Sequence, residues 1–250
     1  MDPVSIEGYS IHSVLGTGRT GTVYLASSSS QRVALKVCRA QCPIPLRHPN
    51  IVPVYDRGEL PDGTHWMAMQ YVPGGDADNE LRAGRMSPAR TVHIVSDVAR
   101  ALDHAHDHGV AHGDVKPSNF LLGGQDCVLL TDFGVAPFVR DGMVLTSAAY
   151  ASPEMLRGKD ISGRADVYSL GCSLFRLLTG KPPFFDAGSK DDVVQAHLHR
   201  EPPQPTMFAP WLPPAIDHVV ATAMAKDPQL RYQTAGELAR AATGALAPNR

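Results

Sequence analysis

Between Glu7 and Asp56 the chain contains no aspartate and no glutamate. The same stretch carries Arg19, Arg32, Lys36, Arg39 and Arg47, so a cation there has no carboxylate close in sequence to pair with. Acid and base nearly balance over the whole chain, at a formal net charge of -2, which removes any general pull toward nucleic acid or an anionic membrane. Four cysteines, Cys38, Cys42, Cys127 and Cys172, show no CxxC spacing. A zinc ribbon and a disulfide framework are thereby excluded, and reduced cytosolic thiols are the expectation. Met1-Asp2-Pro3-Val4 starts no apolar signal core. No run approaches the roughly 20 apolar residues that cross a bilayer. The sequence thus reads as a soluble, cytoplasmic protein without a membrane span or a nucleic-acid partner. At 250 residues and 43% hydrophobic it can bury one sizeable core without disulfides.

What the chain does contain is concentrated between His112 and Asp132. It reads His112-Gly113-Asp114-Val115-Lys116-Pro117-Ser118-Asn119, then an apolar run, then Thr131-Asp132-Phe133-Gly134. Asp114 is a candidate acceptor for a hydroxyl proton and Lys116 a cation for a transferring phosphoryl group. Asn119 and Asp132 offer the oxygen ligands that Mg²⁺ prefers. Phe120-Leu121-Leu122, a Gly123-Gly124 turn and Cys127-Val128-Leu129-Leu130 predict a β-hairpin, which would bring Asn119 and Asp132 together.

Upstream, Leu15-Gly16-Thr17-Gly18-Arg19-Thr20-Gly21-Thr22-Val23 lies between alternating apolar residues, as a strand, glycine loop and strand. Without a Cβ, glycine amides can approach phosphates; a plain hairpin turn is the bland alternative. A strand rather than a helix follows, which disfavours a dinucleotide fold. Val33-Ala34-Leu35-Lys36-Val37 sets a lysine inside an apolar strand, and Trp66 to Val72 reads as a buried strand broken by Pro73-Gly74-Gly75.

The ordered set H-x-D-x-K-x-x-N, D-F-G, a glycine loop and a V-A-L-K strand resembles the protein kinases, closest to bacterial eukaryotic-like serine/threonine kinases of the actinobacterial type. The resemblance implies an α+β, bilobal fold in one domain, with a small β-rich N-lobe over residues 1–72 and a larger, mainly helical C-lobe over 73–250. It implies ATP and Mg²⁺ as cofactors and Ser/Thr-bearing proteins as substrates. On this resemblance Asp114, Lys116, Lys36 and Ser147 are catalytic, and Asn119 and Asp132 bind metal. Leu15, Gly16, Thr17, Gly18, Gly21, Val23, Ala34, Lys36, Met69, Gln70, Val72 and Leu121 enclose the nucleotide. Met69 stands behind the adenine, and the backbones of Gln70 and Val72 bond its edge. His112 is expected under Phe133, Glu154 of Ser152-Pro153-Glu154 against Arg231, and Asp166 beneath the catalytic loop.

Two departures matter. Only residues 38–48 separate the lysine strand from His48-Pro49-Asn50-Ile51-Val52, whereas a three-turn helix alone takes about 11 residues. Pro43 and Pro45 disfavour one further. The helix whose glutamate pairs with the lysine in the family is therefore expected to be missing. Lys36 must lean on Asp132, on phosphates, or on a partner's carboxylate. An apolar back face of Val37, Ile51, Val54 and Met67 should then lie open to a second copy or a partner protein, unless residues 39–47 fold over it. The second departure is Gly113, where the family has arginine. Without that guanidinium, a phosphate on Thr146 or Ser147 has no grip, so activity should not depend on loop phosphorylation. Both departures also suit a rival reading, a kinase-shaped binding module. Farther on, Ser87 and Pro88 start an amphipathic helix that Gly109 ends. His104 and His108 on it read as structural rather than metal ligands. Further helices are expected from Asp166 through Leu178 and over 213–225 and 234–246.

Overall fold

The computed structural model describes residues 6–18, 21–29, 31–38, 45–133 and 148–247. The small lobe is a five-stranded antiparallel sheet of β1 (Ser10–Gly18), β2 (Gly21–Ser27), β3 (Arg32–Cys38), β4 (Val54–Glu59) and β5 (His65–Gln70), in the order β1-β2-β3-β5-β4. β3 lies at the centre and is buried on both faces, which is why its sequence is an unbroken apolar run around one lysine. Side chains alternate across a strand. Val33 and Leu35 therefore pack with Ile6, Ala26 and Ala68 on one face. Ala34 packs with Met67 and Met69 on the other, and Lys36, two residues on, shares that face. Opposite Lys36 stand Val23 on β2 and Met67 on β5. Gly21 is held by a close approach: with φ at 151°, a Cβ there would lie 2.0 Å from the Val37 carbonyl oxygen.

The large lobe holds α1 (Ala77–Arg82), α2 (Pro88–Asp107), β6 (Phe120–Leu122), β7 (Val128–Leu130), α3 (Pro153–Leu156), α4 (Gly163–Thr179), α5 (Lys190–His199), α6 (Ala215–Ala223) and α7 (Ala235–Leu246). α2 starts where Ser87 Oγ accepts the Arg90 amide at 3.1 Å, with Pro88 in the first turn. Its stripe of Ile94, Val95, Val98, Leu102 and Ala105 is fully buried, and it packs on α4 and α7. α4 is buried nearly all round, as its lack of a polar face requires.

Between the lobes the sequence expectation needs correcting. The stretch His48 to Tyr55 reads from its sequence as the next strand, yet the strand starts only at Val54. Asn50, Ile51 and Val52 dock on β7 instead: the Leu130 amide donates to the Asn50 carbonyl at 2.8 Å, and the Val52 amide to the Leu130 carbonyl at 3.0 Å. Asn50 Nδ2 adds a bond to the Val128 carbonyl at 2.9 Å. After β3 ends at Cys38, residues 45–53 carry no helix, and residues 39–44 lie outside the described ones. The open back face is also not as expected. Ile51 and Met67 are buried, and Val37 and Val54 are half-buried. Pro45 and Leu46 line the same small pocket as Ile51, Val54 and Met67, so this chain supplies part of its own cover.

Candidate active site

The hairpin forms as the sequence predicts, with Phe120 opposite Leu130 and Leu122 opposite Val128. Its ladder continues one step outward, where the Thr131 amide donates to the Asn119 carbonyl at 3.1 Å. Asn119 and Asp132 are thereby held at one end of a two-stranded ribbon. Asp132 has a left-handed backbone, φ 67°, uncommon outside glycine but tolerated by aspartate. Its Oδ1 accepts Lys36 Nζ at 2.8 Å, and Lys36 is only 3% exposed. Of the three counter-charges open to Lys36 in the sequence, the structure supplies this one. A pocket of about 40 Å³ beside the pair is walled by Ile51, Met67, Leu130 and Phe133.

Asp114 sits on the catalytic loop with Lys116 Nζ 2.6 Å from its Oδ2. Asn119 Nδ2 donates to the Asp114 carbonyl at 2.7 Å and lies 3.3 Å from Oδ2. Both acceptors thus draw the Asn119 amide nitrogen toward Asp114, which turns its carbonyl oxygen the other way, the orientation a metal ligand requires. An amide oxygen and one carboxylate, completed by phosphate oxygens and water, are a donor set that fits Mg²⁺. Among the described residues no three His, Cys, Asp or Glu side chains converge as an all-protein metal cage.

The loop is fixed from below. Asp166 at the start of α4 is fully buried, and its Oδ2 accepts the His112 amide at 2.7 Å and its Oδ1 the Gly113 amide at 2.8 Å. His106 Nε2 donates to Oδ2 at 2.8 Å. Sequence reasoning missed His106, because His104, His106 and His108 alternate at the end of α2 and nothing local marks the one that meets Asp166. His108 Nδ1 donates to the His104 carbonyl at 2.7 Å, and the two rings lie 4.4 Å apart. His112 has one consistent tautomer. Its Nδ1 accepts the Asp114 amide at 3.1 Å, so Nε2 carries the proton and donates to the Thr131 carbonyl at 2.8 Å. The ring packs on Phe133, centroids 4.7 Å apart, as expected. One imidazole therefore ties the Asp114 loop to the Asp132 loop. Gly113 has φ 79°, where an L-residue would be strained by about 1–2 kcal/mol, so glycine suits the loop's shape while removing the family's arginine.

The expected nucleotide walls mostly gather. Ala34, Met69 and Val72, with Val23 and Leu121 packed against them, form one apolar cluster with Leu129. Gly16, Thr17 and Gly18 lie in β1, a Cβ at Gly16 would meet nothing within 4 Å, and Leu15 is exposed. At the hinge the Gln70 amide donates to the Pro53 carbonyl at 2.9 Å, so a backbone bond from Gln70 to a base edge falls to its carbonyl. Val72 takes no hydrogen-bond partner among the described residues. Gly134, Thr146 and Ser147 lie outside the described residues.

Beyond the loop, Glu154 and Arg231 meet as expected, in a two-pronged pair at 2.6 and 2.8 Å. Burial pushes the Glu154 carboxyl up, but the Arg231 hydrogen bonds and charge pull it below the usual carboxylate range. Arg231 also donates to the Ala225 carbonyl at 2.7 Å and the Arg164 carbonyl at 2.8 Å, so no part of its guanidinium is idle.

A strand-borne buried lysine, a ribbon that ends in Asn119 and Asp132, and a braced aspartate thus gather in one place. Residues 9–241 match the protein kinase domain family, and the chain belongs to it. It is 48% identical over 268 residues to the serine/threonine-protein kinase PknJ of Mycobacterium tuberculosis, a match covering 96% of this chain and 45% of the relative. To PknH of the same species it is 38% identical over 263 residues, covering 95% of this chain and 42% of the relative. To PknB of Mycolicibacterium smegmatis it is 36% identical over 260 residues, covering 92% and 41%. The chain spans less than half the length of these relatives. The PknJ match, at 268 residues, is longer than the 250 residues of this chain, so the relative carries residues inside the matched span that this chain lacks.

Proposed function

We propose that this chain transfers the γ-phosphoryl group of ATP to serine or threonine hydroxyls of proteins. The observation that carries the reading is the joint placement of Lys36 on Asp132 and of Lys116 and Asn119 on Asp114. Asp114 takes the hydroxyl proton and orients the nucleophile. Lys116, within reach of the same carboxylate, neutralises the group in flight. Lys36 holds phosphates, and Asn119 and Asp132 hold Mg²⁺, whose chemistry is to screen phosphate charge. The protein's part is positioning and fixed electrostatics. Ser147, outside the described residues, is assigned to the acceptor side on the family resemblance alone. With Gly113 in place of a phosphate-gripping arginine, turnover runs without loop phosphorylation.

The site of action is the cytoplasm; among the described residues no helix is long and apolar enough to cross a membrane. The expected contact with a second copy narrows to the groove of about 600 Å³ lined by Leu46, His48, Ile51, Val54 and Tyr55. A monomer at high concentration would remove it. The rival reading, a kinase-shaped binding module, is favoured by one observation: Asp132 is the only acidic partner of Lys36 among the described residues. Phosphotransfer and Mg-ATP binding by wild type, Asp114→Asn and Lys36→Met separate the two. The enzyme reading expects transfer by wild type, a drop of at least about 100-fold in Asp114→Asn with nucleotide still bound, and weak binding in Lys36→Met. Equal transfer by all three would overturn it.

A further inference from the structure

His48 opens the stretch that docks the small lobe on β7, and its ring plays no part in the phosphotransfer chemistry. That ring is the first of three. It stacks on His104 of α2, centroids 5.0 Å and planes 28° apart, and His104 in turn lies 4.4 Å from His108. His48 Nδ1 accepts the Asn50 amide at 3.1 Å. An imidazole nitrogen accepts only when it carries no proton, so this bond requires a neutral His48 with its proton on Nε2. Asn50 is 5% exposed, and the docking turns on it. Its carbonyl accepts the Leu130 amide at 2.8 Å, its Nδ2 donates to the Val128 carbonyl at 2.9 Å, and its Oδ1 accepts Arg100 Nε at 3.3 Å.

A second proton on this ring is opposed from each element around it. On Nδ1 it would face the Asn50 N–H, donor against donor, and leave the amide of a buried residue without its acceptor. α2 presents Arg100 and His104, with His108 behind, and its Asp97 is already held by Arg100 and the Val128 amide. Arg47, next in the chain, is a further cation. From the turn before β7 comes Cys127, its Sγ 3.8 Å from the Pro49 carbonyl; burial pushes its thiol up, so it brings no negative charge. Burial first, then His104 and Arg100, hold His48 below the ordinary histidine value of 6.5. The link is therefore complete above that value and weakens as pH falls below it. Protons have a path, since the half-buried ring lines the groove of about 600 Å³.

We propose that His48 is an acid-operated release for the link between the lobes: a solvent proton taken up at Nδ1 removes the acceptor of the Asn50 amide and frees residues 50–52 from β7, and the loosened lobes hold Mg-ATP more weakly. The device goes beyond the phosphotransfer reading. It acts on the joint between the lobes, so it stands whether or not the chain turns over ATP.

The test compares wild type with His48→Asn, whose Oδ1 keeps an acceptor for the Asn50 amide and does not titrate. Hydrogen exchange at the Val52 and Leu130 amides reads the link directly, as protection relative to the intrinsic rate at each pH. One histidine with a free value of 6.5 can weaken that protection by at most about tenfold between pH 7.5 and 5.5. Wild type is expected to lose about three- to tenfold over that range, and His48→Asn less than about twofold. Mg-ATP affinity should show the same difference between the two proteins, with the protonation of ATP itself common to both. Equal loss of protection in both proteins, or none in wild type, overturns the proposal, as does an affinity that ignores the opened link. The wild-type His48 ring, followed by NMR, needs no variant: a midpoint below 6.5 agrees with the proposal, and one at or above 6.5 overturns it. A wild type that shows the exchange pattern yet transfers no phosphate at any pH would defeat the enzyme reading alone.

Discussion

Replacing Asp166 by asparagine keeps the shape of the side chain and removes its charge, so it measures what the buried carboxylate does for the catalytic loop. The carboxylate accepts three bonds: Oδ2 takes the His112 amide and His106 Nε2, and Oδ1 takes the Gly113 amide. Asparagine has one oxygen. Placed where Oδ2 was, it keeps two bonds in weaker, neutral form and turns its NH₂ against the Gly113 N–H. Gly113 is buried, so water does not replace the lost acceptor. Loss of one charge-assisted bond costs about 1.5–3 kcal/mol, and an unsatisfied buried N–H about 1–3 kcal/mol. A loss of about 3–5 kcal/mol is expected, at the high end for a single substitution. Urea unfolding with an unchanged m-value would read it. The Asp114 amide bonds to His112, so the displaced loop should also lower kcat by more than about tenfold with the ATP Kd within about threefold. A cost under about 1 kcal/mol, or a kcat unchanged in folded protein, would refute the claim that Asp166 sets the loop.

The Glu154–Arg231 clamp gives a second test. Arg231→Ala leaves a buried carboxylate without its cation and should cost about 3–5 kcal/mol, while Arg231→Met with Glu154→Leu should recover most of it. Because the folded Glu154 carboxyl lies below its ordinary range, its contribution is complete above that range and fades as pH falls through the folded value. Acid titration of stability should therefore be flatter in the double variant than in wild type over that interval. Gly113→Ala, at φ 79°, should cost about 1–2 kcal/mol in thermal or urea unfolding, and a neutral result would mean that the loop relaxes out of the left-handed region.

The elements legible in the sequence were those whose residues announce themselves locally. Ser87, Pro88 and the apolar stripe fix α2, and the two glycines between β6 and β7 mark that hairpin. Lys36 was legible because a lysine in the run Val33 to Val37 has no bland explanation, and strand alternation then places it on the cleft face. Tertiary choices were not legible. Asn50, Ile51 and Val52 have β-forming neighbours, yet bonding to β7 outcompetes continuation of β4. Whether the apolar back face lies open or is covered by residues 39–47 was undecided in the sequence, and Pro45 and Leu46 line the pocket beside it. His106 carries no local signal, since it takes its meaning from a partner 60 residues away.

The missing acids of the first strands have a consequence beyond Lys36 itself. Among the described residues Lys36 pairs with no carboxylate of its own lobe and takes one from the end of β7, so its ion pair is also a bond between lobes. It lies beside the other interlobe link, Asn50 and Val52 on Leu130, because Leu130 is two residues from Asp132. Electrostatics and lobe spacing therefore share one short stretch of backbone. Lys36→Met would remove a phosphate-facing cation and loosen the lobes in the same stroke, so its effect on nucleotide binding is not a measure of the cation alone. Asn50→Ala removes the side-chain bond to Val128 and loosens the link while leaving Lys36 and Asp132 untouched. The difference between the two variants in Mg-ATP affinity isolates the charge, and a difference near zero would mean that the lysine acts in this lobe chiefly as a tether.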